Sequence, residues 1–328
     1  MLLRSALVYS NEPEKSMDDL VASKTAVATS RMRALHTRRT EAPIFQDPWG
    51  DQLVPASLLR PLVQKMSATL GVDAEQFTDA EVEALSDEFL LTSPSYTNVI
   101  TRSRYTEDAL HAALAEGVRQ YVLIGAGFDS YGLRRPEPVE DLVIIEVDHP
   151  ATQSLKLQQI ANCDGTVDDA VHFIAADLSR EPLGKVLSRS AFVSSQPAFL
   201  SWLGVTMYLT REANMATLSS IADNCAAGSQ LVFSYIDQKL FDAPTDTEKE
   251  KFKGLEESVK AMGEPFVSGF DPAALGKELA ALGLELLEDW TEGELVTRYD
   301  ATGISGLISS DRSHVALVGV VGDLRALS

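Results

Sequence analysis

A glycine turn directly follows an apolar run in the middle of the chain. Residues 121–124 are apolar and lead into Gly125-Ala126-Gly127, with Asp129 two residues later. In open parallel sheets, ligands bind beyond the carboxyl ends of the strands, where glycine lets ligand atoms approach the backbone closely. We therefore interpret this turn as a candidate cofactor site, with a plain tight turn as the alternative.

The next two apolar runs end in acidic residues. The first ends at Glu146 and Asp148, which lie 21 and 23 residues beyond Gly125. The second leads into Asp177 and Leu178. A carboxylate at this distance from a glycine turn can accept hydrogen bonds from both hydroxyls of a ribose. A single acid at a strand end is more often a helix cap, but three successive strand ends of this kind favour a nucleoside site.

The charges around the turn indicate which nucleoside cofactor suits it. The pyrophosphate of a dinucleotide needs a third small residue and an uncluttered helix N-terminus. Here Ser130 occupies the third position and Asp129 lies where the phosphates would have to go. S-adenosylmethionine has no phosphate and carries a sulfonium and an ammonium group, so an acidic site attracts it. We expect this cofactor, with Asp177 bonded to the adenine amino group and Leu178 as a backbone or apolar contact.

Alternating strands and helices must position these residues. Runs that are apolar except for His172 occur at residues 121–124, 142–145, 171–174, 198–200 and 231–233, and helical stretches separate several of them. Such runs are typical of strands that are covered on both faces. The pattern predicts an α/β fold, a Rossmann-like doubly wound parallel sheet with the glycine turn and the acids at its strand ends.

The two ends of the chain depart from this alternation. Residues 1–98 are predicted to be helical without a convincing strand, and we interpret them as an N-terminal cap or lid. Residues 99–328 form the predicted cofactor-binding domain, with a charged insertion at about 237–270. Apolar runs at 284–287 and 315–320, with a loop that lacks a helical pattern between them, predict an antiparallel C-terminal hairpin.

Basic residues recur along the predicted helix between positions 19 and 39, in a chain that is otherwise acidic. They are Lys24, Arg31, Arg33, Arg38 and Arg39. Two interpretations stay open: a solvated helix face, or a lid whose cations meet a ligand carboxylate.

Several stretches, in order along most of the chain, match one known family. They are Thr25 to Ala34, Gln46 to Pro48, Arg102 to Arg104, Val118 to Ser130, Glu146 to Pro150, Asp177-Leu178 and Gly204 to Leu209. Together they resemble the leucine carboxyl methyltransferase-like family, and within it the bacterial S-adenosylmethionine-dependent branch that includes polyketide O-methyltransferases. The combination is more specific than any single motif.

This resemblance implies a class I methyltransferase fold and assigns roles to individual residues. By it, the residues that line the cofactor are Gly125, Ala126, Gly127, Asp148 at the ribose, and Asp177 and Leu178 at the adenine. Arg102 would pair with the carboxylate of the methionyl part, for which a guanidinium is well shaped. Arg104 is the alternative for that role, and Lys24 is a further candidate.

Two positions depart from the family pattern. Tyr131 stands where the family often has arginine, and Leu203 stands where it often has glutamate. If that glutamate normally receives the cofactor ammonium, Glu146 or a backbone carbonyl could replace it.

The resemblance implies methyl transfer to an oxygen, either a small-molecule hydroxyl or a carboxylate. A carboxylate is already nucleophilic, whereas a hydroxyl needs a base. His36, His149 and Tyr208 are titratable and near the expected site, but structural roles are favoured for them, so no catalytic residue is assigned. The alternatives are an NAD-dependent Rossmann oxidoreductase, which shares the fold and the ribose acid, and a non-catalytic cofactor-binding relative.

Composition limits the partners. The 328 residues include 28 Lys and Arg against 48 Asp and Glu, a net charge of -20, which leaves no basic field for a nucleic acid. No apolar stretch approaches the length of a membrane span, and the two cysteines lack metal-site spacing. We expect a cytoplasmic enzyme with a small-molecule methyl acceptor, no metal, and no membrane or nucleic-acid partner. The sequence leaves the oligomeric state open.

Overall fold

The computed structural model describes residues 23–68, 73–135, 139–163, 165–241, 266–309 and 312–321. Most of the predicted insertion at about 237–270 lies outside the described residues, as does the beginning of the predicted N-terminal cap. Within the described ranges, no helix combines the length and apolarity needed to cross a membrane.

Helices precede the first strand. They are α1 (Lys24–Arg39), α2 (Trp49–Leu53), α3 (Ala56–Ala68), α4 (Asp79–Leu91) and α5 (Tyr96–Ala115), with a 3₁₀ turn at Ala74–Gln76. A capping box starts α4, because the Thr78 hydroxyl accepts from the Glu81 backbone N–H while the Glu81 side chain accepts from that of Thr78. The helix α5 crosses the boundary predicted between residues 98 and 99, so one continuous helix leads from the N-terminal helices to the sheet.

Seven strands of the described residues form one sheet. They are β1 (Gln120–Ile124), β2 (Val143–Asp148), β3 (Val171–Ala175), β4 (Phe199–Trp202), β5 (Gln230–Ile236), β6 (Leu284–Thr291) and β7 (Ser313–Val320). Their order is β3-β2-β1-β4-β5-β7-β6. The pairs among β1 to β5 are parallel. Each strand overlaps a predicted run, so the predicted Rossmann-like sheet is confirmed.

Helices between the strands cover both faces of this sheet. They are α6 (Tyr131–Arg134), α7 (Pro150–Asn162), α8 (Leu183–Ser188), α9 (Arg211–Asn224), α10 (Pro272–Ala280) and α11 (Glu292–Tyr299). In β1, Val122 and Ile124 belong to one buried apolar cluster, and Tyr121 and Leu123 belong to another. Successive strand residues point to opposite faces, so a strand that is covered on both sides must be apolar throughout.

The C-terminal strands are antiparallel, as predicted, but the segment that joins them differs from the prediction. Strand β7 lies between β5 and β6 and is antiparallel to both. The predicted loop between β6 and β7 is wrong, because it contains α11. The Thr291 hydroxyl and the Glu294 side chain form a capping box at the start of α11. This Thr-x-x-Glu spacing is a helix-start signal that the prediction missed.

The interpretation of the basic residues in α1 as a solvated face is wrong for Arg31 and Arg33, which are both buried, and Arg33 also lines a cavity at the edge of the sheet. The Arg31 guanidinium lies 2.7 Å from Asp51 and 2.9 Å from Asp87, and Arg33 Nε lies 2.8 Å from Asp47. These acids belong to or adjoin the neighbouring helices α2 and α4. The basic residues therefore hold the helices together, since each buried cation has an anionic partner.

Candidate active site

A cavity of about 340 Å³ lies at the carboxyl ends of β1, β2, β3 and β4. Residues of α1 and α5 also line it. The structure brings to it all of the residues that the sequence assigned to the cofactor: Arg102, Gly125, Ala126, Gly127, Asp148, Asp177 and Leu178. The three strand ends that follow one another in the sequence therefore meet at one site.

The glycine turn leaves β1 in a conformation that favours glycine. Gly125 and Gly127 have φ angles of 68° and 54°. The backbone N–H groups of Gly125 and Ala126 donate to the Val147 carbonyl at 2.9 and 3.1 Å, which ties the turn to β2. A Cβ atom at Gly125 would lie 2.5 Å from Val205 Cγ2. Both the backbone angle and the lack of space thus require glycine at this position.

Gly125→Ala is expected to lower the free energy of unfolding by about 2–4 kcal/mol, because left-handed strain and overpacking against Val205 add together. Gly303→Ala is the matched control, since its φ is 71° and no atom lies within 4 Å of the added Cβ. The control should lose only about 1–2 kcal/mol in urea denaturation. Equal losses in the two variants would contradict the steric contribution of Val205.

Asp148 closes the turn from the end of β2. One carboxylate oxygen accepts from the Gly127 backbone N–H, and the other accepts from that of His149 at 2.6 Å. Burial raises the pKa of Asp148, and these two backbone donors oppose the rise. Each carboxylate oxygen can accept a further hydrogen bond, so the side chain is fixed in position and still able to bind ligand hydroxyls.

The two other acids on the cavity wall are also held by local hydrogen bonds. Asp129 Oδ1 accepts from the Tyr131 backbone N–H at 2.7 Å. Asp177 Oδ1 accepts from the backbone N–H of Ser179 at 3.0 Å and from its hydroxyl at 2.6 Å. With Asp148, these acids make the strand-end side of the cavity anionic, which suits a cationic ligand.

Arg102 brings a buried positive charge to the same cavity. Its Nη1 donates to Asn98 Oδ1 at 2.8 Å, and among the described residues no carboxylate is in ion-pair contact with it. Burial lowers the pKa of Arg102 to about 10. A buried guanidinium that lacks a counter-ion is costly unless a ligand supplies the anion.

The alternative cations do not share this environment. Arg104 is exposed, and its guanidinium lies 3.0 Å from Asp108. Lys24 is exposed at the start of α1. Neither residue lines the cavity, whereas Arg102 does.

Two wall residues, Thr25 of α1 and Trp202 of β4, were not singled out from the sequence. Thr25 and Trp202 line the cavity, and the buried atoms Thr25 Oγ1 and Trp202 Nε1 have no hydrogen-bond partner in the described structure. Buried polar groups are nearly always paired, so these atoms are candidates for ligand contacts. Thr25 lies in a stretch that resembled the family, but no spacing rule distinguished it from its neighbours.

The residues at the two departures from the family pattern have different environments. Leu203 lines the cavity, whereas Tyr131 is buried below it and its ring contacts that of Tyr121 in an edge-on arrangement. Glu146 was a candidate to replace the missing glutamate, but it is buried away from the cavity in an ion pair with Lys156. Burial raises the pKa of Glu146 to about 7, against the effect of Lys156. Glu146 therefore has a structural partner and is not a cavity residue.

The three titratable candidates differ in whether they line the cavity. His149 and Tyr208 line the cavity, but His36 does not. His36 Nε2 accepts from the Ile44 backbone N–H at 3.1 Å, and burial lowers the pKa of His36 to about 4. His36 is thus a neutral structural residue at physiological pH.

A comparison of the whole sequence with protein families matches residues 26–222 to the family described as leucine carboxyl methyltransferase, which is more than half of the chain. The chain belongs to this family. The match includes the N-terminal helices from residue 26 onward, the glycine turn, and the strand-end acids Asp148 and Asp177. This family match contradicts the alternative interpretation as an NAD-dependent oxidoreductase.

Curated relatives in this family include two bacterial proteins, each named as an S-adenosyl-L-methionine-dependent methyltransferase. The Bacillus subtilis protein YktD is 30% identical over 271 residues, covering 81% of this chain and 88% of its own length. A Mycolicibacterium smegmatis protein is 29% identical over 226 residues, covering 68% of this chain and 70% of its own length.

Among solved structures, a protein from Bordetella parapertussis that is described as a possible exported protein shares the fold. Its TM-score is 0.51 at 12% identity, and the alignment covers 94% of this chain and 99% of that one. At this identity the likeness concerns the fold alone. The strand order and the family match agree with the Rossmann-like class I methyltransferase fold that the sequence predicted.

Proposed function

We propose that this chain, an S-adenosylmethionine-dependent methyltransferase by its family, transfers the methyl group to an oxygen atom of a small-molecule acceptor. One observation carries the assignment of the cofactor to the 340 Å³ cavity. Arg102 is buried there with no carboxylate in ion-pair contact among the described residues, and the opposing strand ends carry acids. The cofactor has a carboxylate for Arg102 and cationic groups for an acidic wall.

The residues that are present fit this cofactor. Arg102 would bind the carboxylate, and the unpartnered hydroxyl of Thr25 lies in the same cavity for a second polar contact. Asp148 would hold the ribose hydroxyls, and Asp177 with Leu178 would frame the adenine. The volume is in the range of small-ligand pockets, about 300–1,000 Å³. The glycine turn leaves room for a close backbone contact.

The chain contributes mainly binding, alignment and exclusion of water. S-adenosylmethionine, when bound, supplies a methyl group that a positively charged sulfur already activates. The buried residues Trp202 and Phe128 form an apolar part of the cavity wall. Thr29 and Tyr208 line both this cavity and a smaller one beside it, so they are placed to orient an acceptor.

Asp148→Ala is expected to weaken binding of S-adenosylhomocysteine by about 1–3 kcal/mol, or about 5- to 150-fold, through loss of charge-assisted hydrogen bonds to the ribose. Isothermal titration calorimetry measures the change. Asp169→Ala, at an exposed turn, is the matched control and should bind as wild type does. Wild-type affinity in a folded Asp148→Ala protein would remove the ribose role.

The proposed reaction is tested with S-adenosylmethionine that carries a labelled methyl group, incubated with the enzyme and a bacterial extract. Label should enter the small-molecule fraction, and mass spectrometry should place it on oxygen. Label in protein or nucleic acid, or on nitrogen or sulfur of a small molecule, would contradict the proposal. A net charge of -20 already disfavours nucleic-acid acceptors.

A further inference from the structure

Arg102 lies where two cavities meet. It lines the cofactor cavity and also a small cavity of about 60 Å³ beside it. Its guanidinium lies against the backbone of Gly204, because a Cβ atom added to this glycine would be 2.5 Å from Arg102 Nη2. Gly204 has a φ angle of 69°, which also favours glycine. The backbone therefore restricts one side of the guanidinium, and the group remains part of both cavity walls.

A neutral amide holds the other terminal nitrogen of this guanidinium. Arg102 Nη1 donates to Asn98 Oδ1 at 2.8 Å, one turn earlier in α5. Asn98 Nδ2 donates to Ser313 Oγ at 2.8 Å, and the Ser313 hydroxyl donates to Glu292 Oε2 at 2.9 Å. All four residues are at most 9% exposed. This chain of hydrogen bonds ties α5 to β7 and fixes the amide of Asn98.

The donors along this chain decide which way the Asn98 amide points. A guanidinium can only donate, so Asn98 must turn its oxygen toward Arg102 and its NH₂ group toward Ser313. Ser313 Oγ then accepts from Asn98 and gives its own proton to the carboxylate beyond it. A guanidinium carries five N–H donors, so a single amide acceptor leaves other donors for a ligand.

The other buried arginines in the part of the chain that the structure describes have charged partners. Arg31 Nε lies 2.9 Å from Asp87, and Arg33 Nε lies 2.8 Å from Asp47. The charges of those two arginines are compensated within the protein. Arg102 is buried as well, but its amide partner orients it without cancelling its charge. A carboxylate in place of this amide would compete with a ligand carboxylate for the same cation.

We propose that Asn98 is a positioning residue whose neutral amide keeps the charge of Arg102 available, which makes the site selective for adenosine ligands that carry a carboxylate. This inference rests on the proposed function, in which Arg102 binds the carboxylate of the cofactor. It adds that the selectivity depends on the absence of charge at position 98. S-adenosylhomocysteine and its decarboxylated analogue differ only in the carboxylate, so the ratio of their affinities isolates the contribution of Arg102.

The first measurement compares the two ligands on the wild-type protein by isothermal titration calorimetry. S-adenosylhomocysteine should bind about 30-fold or more tightly than the decarboxylated analogue, because only the former can engage the Arg102 guanidinium. Equal affinities for the two ligands would place the carboxylate away from Arg102. The assignment of the cofactor in the proposed function would then fail together with this inference.

The second measurement repeats the comparison in two variants at position 98. Asn98→Asp keeps an oxygen for Arg102 but adds a charge, so it should bind S-adenosylhomocysteine about 10- to 100-fold more weakly than wild type. Asn98→Leu removes the oxygen but stays neutral, so it should lose less and stay within about 10-fold of wild type. Neither variant should lose more than about threefold for the decarboxylated analogue, which also shows that both variants fold.

Asn162→Asp, at an exposed position of α7, is the matched control and should leave both affinities unchanged. If Asn98→Asp keeps the wild-type ratio of the two affinities, the role of Asn98 is overturned while the carboxylate stays assigned to Arg102. A larger loss for S-adenosylhomocysteine in Asn98→Leu than in Asn98→Asp would show that the side chain acts only as an anchor. A loss beyond about 10-fold in Asn98→Leu would overturn the inference by itself, whatever the aspartate variant does.

Discussion

Arg102→Met is expected to weaken binding of S-adenosylhomocysteine by about 2–3 kcal/mol, or about 30- to 150-fold, because the ligand carboxylate loses a buried charged partner. The same variant should be more stable than wild type without ligand, by about 1–3 kcal/mol. Arg102 is buried without an ion-pair partner among the described residues, and burial lowers its pKa to about 10, so its charge costs stability in the ligand-free fold. Methionine fills a similar volume without a charge.

Calorimetry and urea denaturation measure these two effects on the same protein. Arg104→Ala is the control, because its side chain is exposed and outside the cavity, and it should change neither quantity by more than about 0.5 kcal/mol. A more stable Arg102→Met protein with wild-type affinity would mean that the cofactor carboxylate lies elsewhere. Lost affinity in Arg104→Ala alone would transfer the role to that residue.

Asp47→Ala is expected to lower the free energy of unfolding by about 3–5 kcal/mol, since it leaves buried cations without an anion. Asp47 is fully buried, 2.8 Å from Arg33 and 3.8 Å from Arg134. Its Oδ1 also accepts from the Trp49 backbone N–H at 3.1 Å at the start of α2. The substitution therefore removes both an ion-pair network and a hydrogen bond to the first residue of α2.

The control for Asp47 is an ion pair at the surface. Arg60 and Asp79 are 2.6 Å apart, but the Asp79 side chain is 77% exposed. Asp79→Ala should cost about 0–1 kcal/mol in urea denaturation, because solvent screens the pair. Similar losses in both variants would contradict the importance of burial.

The Asp47 pair also predicts a pH dependence. Burial by itself would raise the pKa of Asp47, but Arg33 and Arg134 outweigh it and hold the pKa below the ordinary value of 3.8. A lowered native pKa gives stability that is present above the unfolded pKa and is lost as pH falls through the native one. Wild type should therefore lose stability below about pH 4. Asp47→Ala should lack that part of the loss.

The sheet could be predicted from the sequence because its signal is local. Each central strand is covered on both faces, so each is a continuous apolar run, and the glycine turn and strand-end acids are read from adjacent residues. The helix α11 was missed because it is short and follows β6 without a break. Its Thr291 and Glu294 capping pair was a local sign of the helix.

The remaining features depend on contacts between distant residues. Arg31 meets Asp87 across 56 positions, and no local spacing predicts that pairing. The small cavity unites Asn98 with Ser313 across 215 positions, so its wall exists only after α5 has packed beside β7.

The crystal structure of the chain with S-adenosylhomocysteine tests the central assignment most directly. The ligand should occupy the cavity at the ends of β1 to β4, with its ribose at Asp148, its adenine beside Asp177 and its carboxylate on Arg102. A ligand bound outside this cavity, or one whose carboxylate lies away from Arg102, would contradict the account.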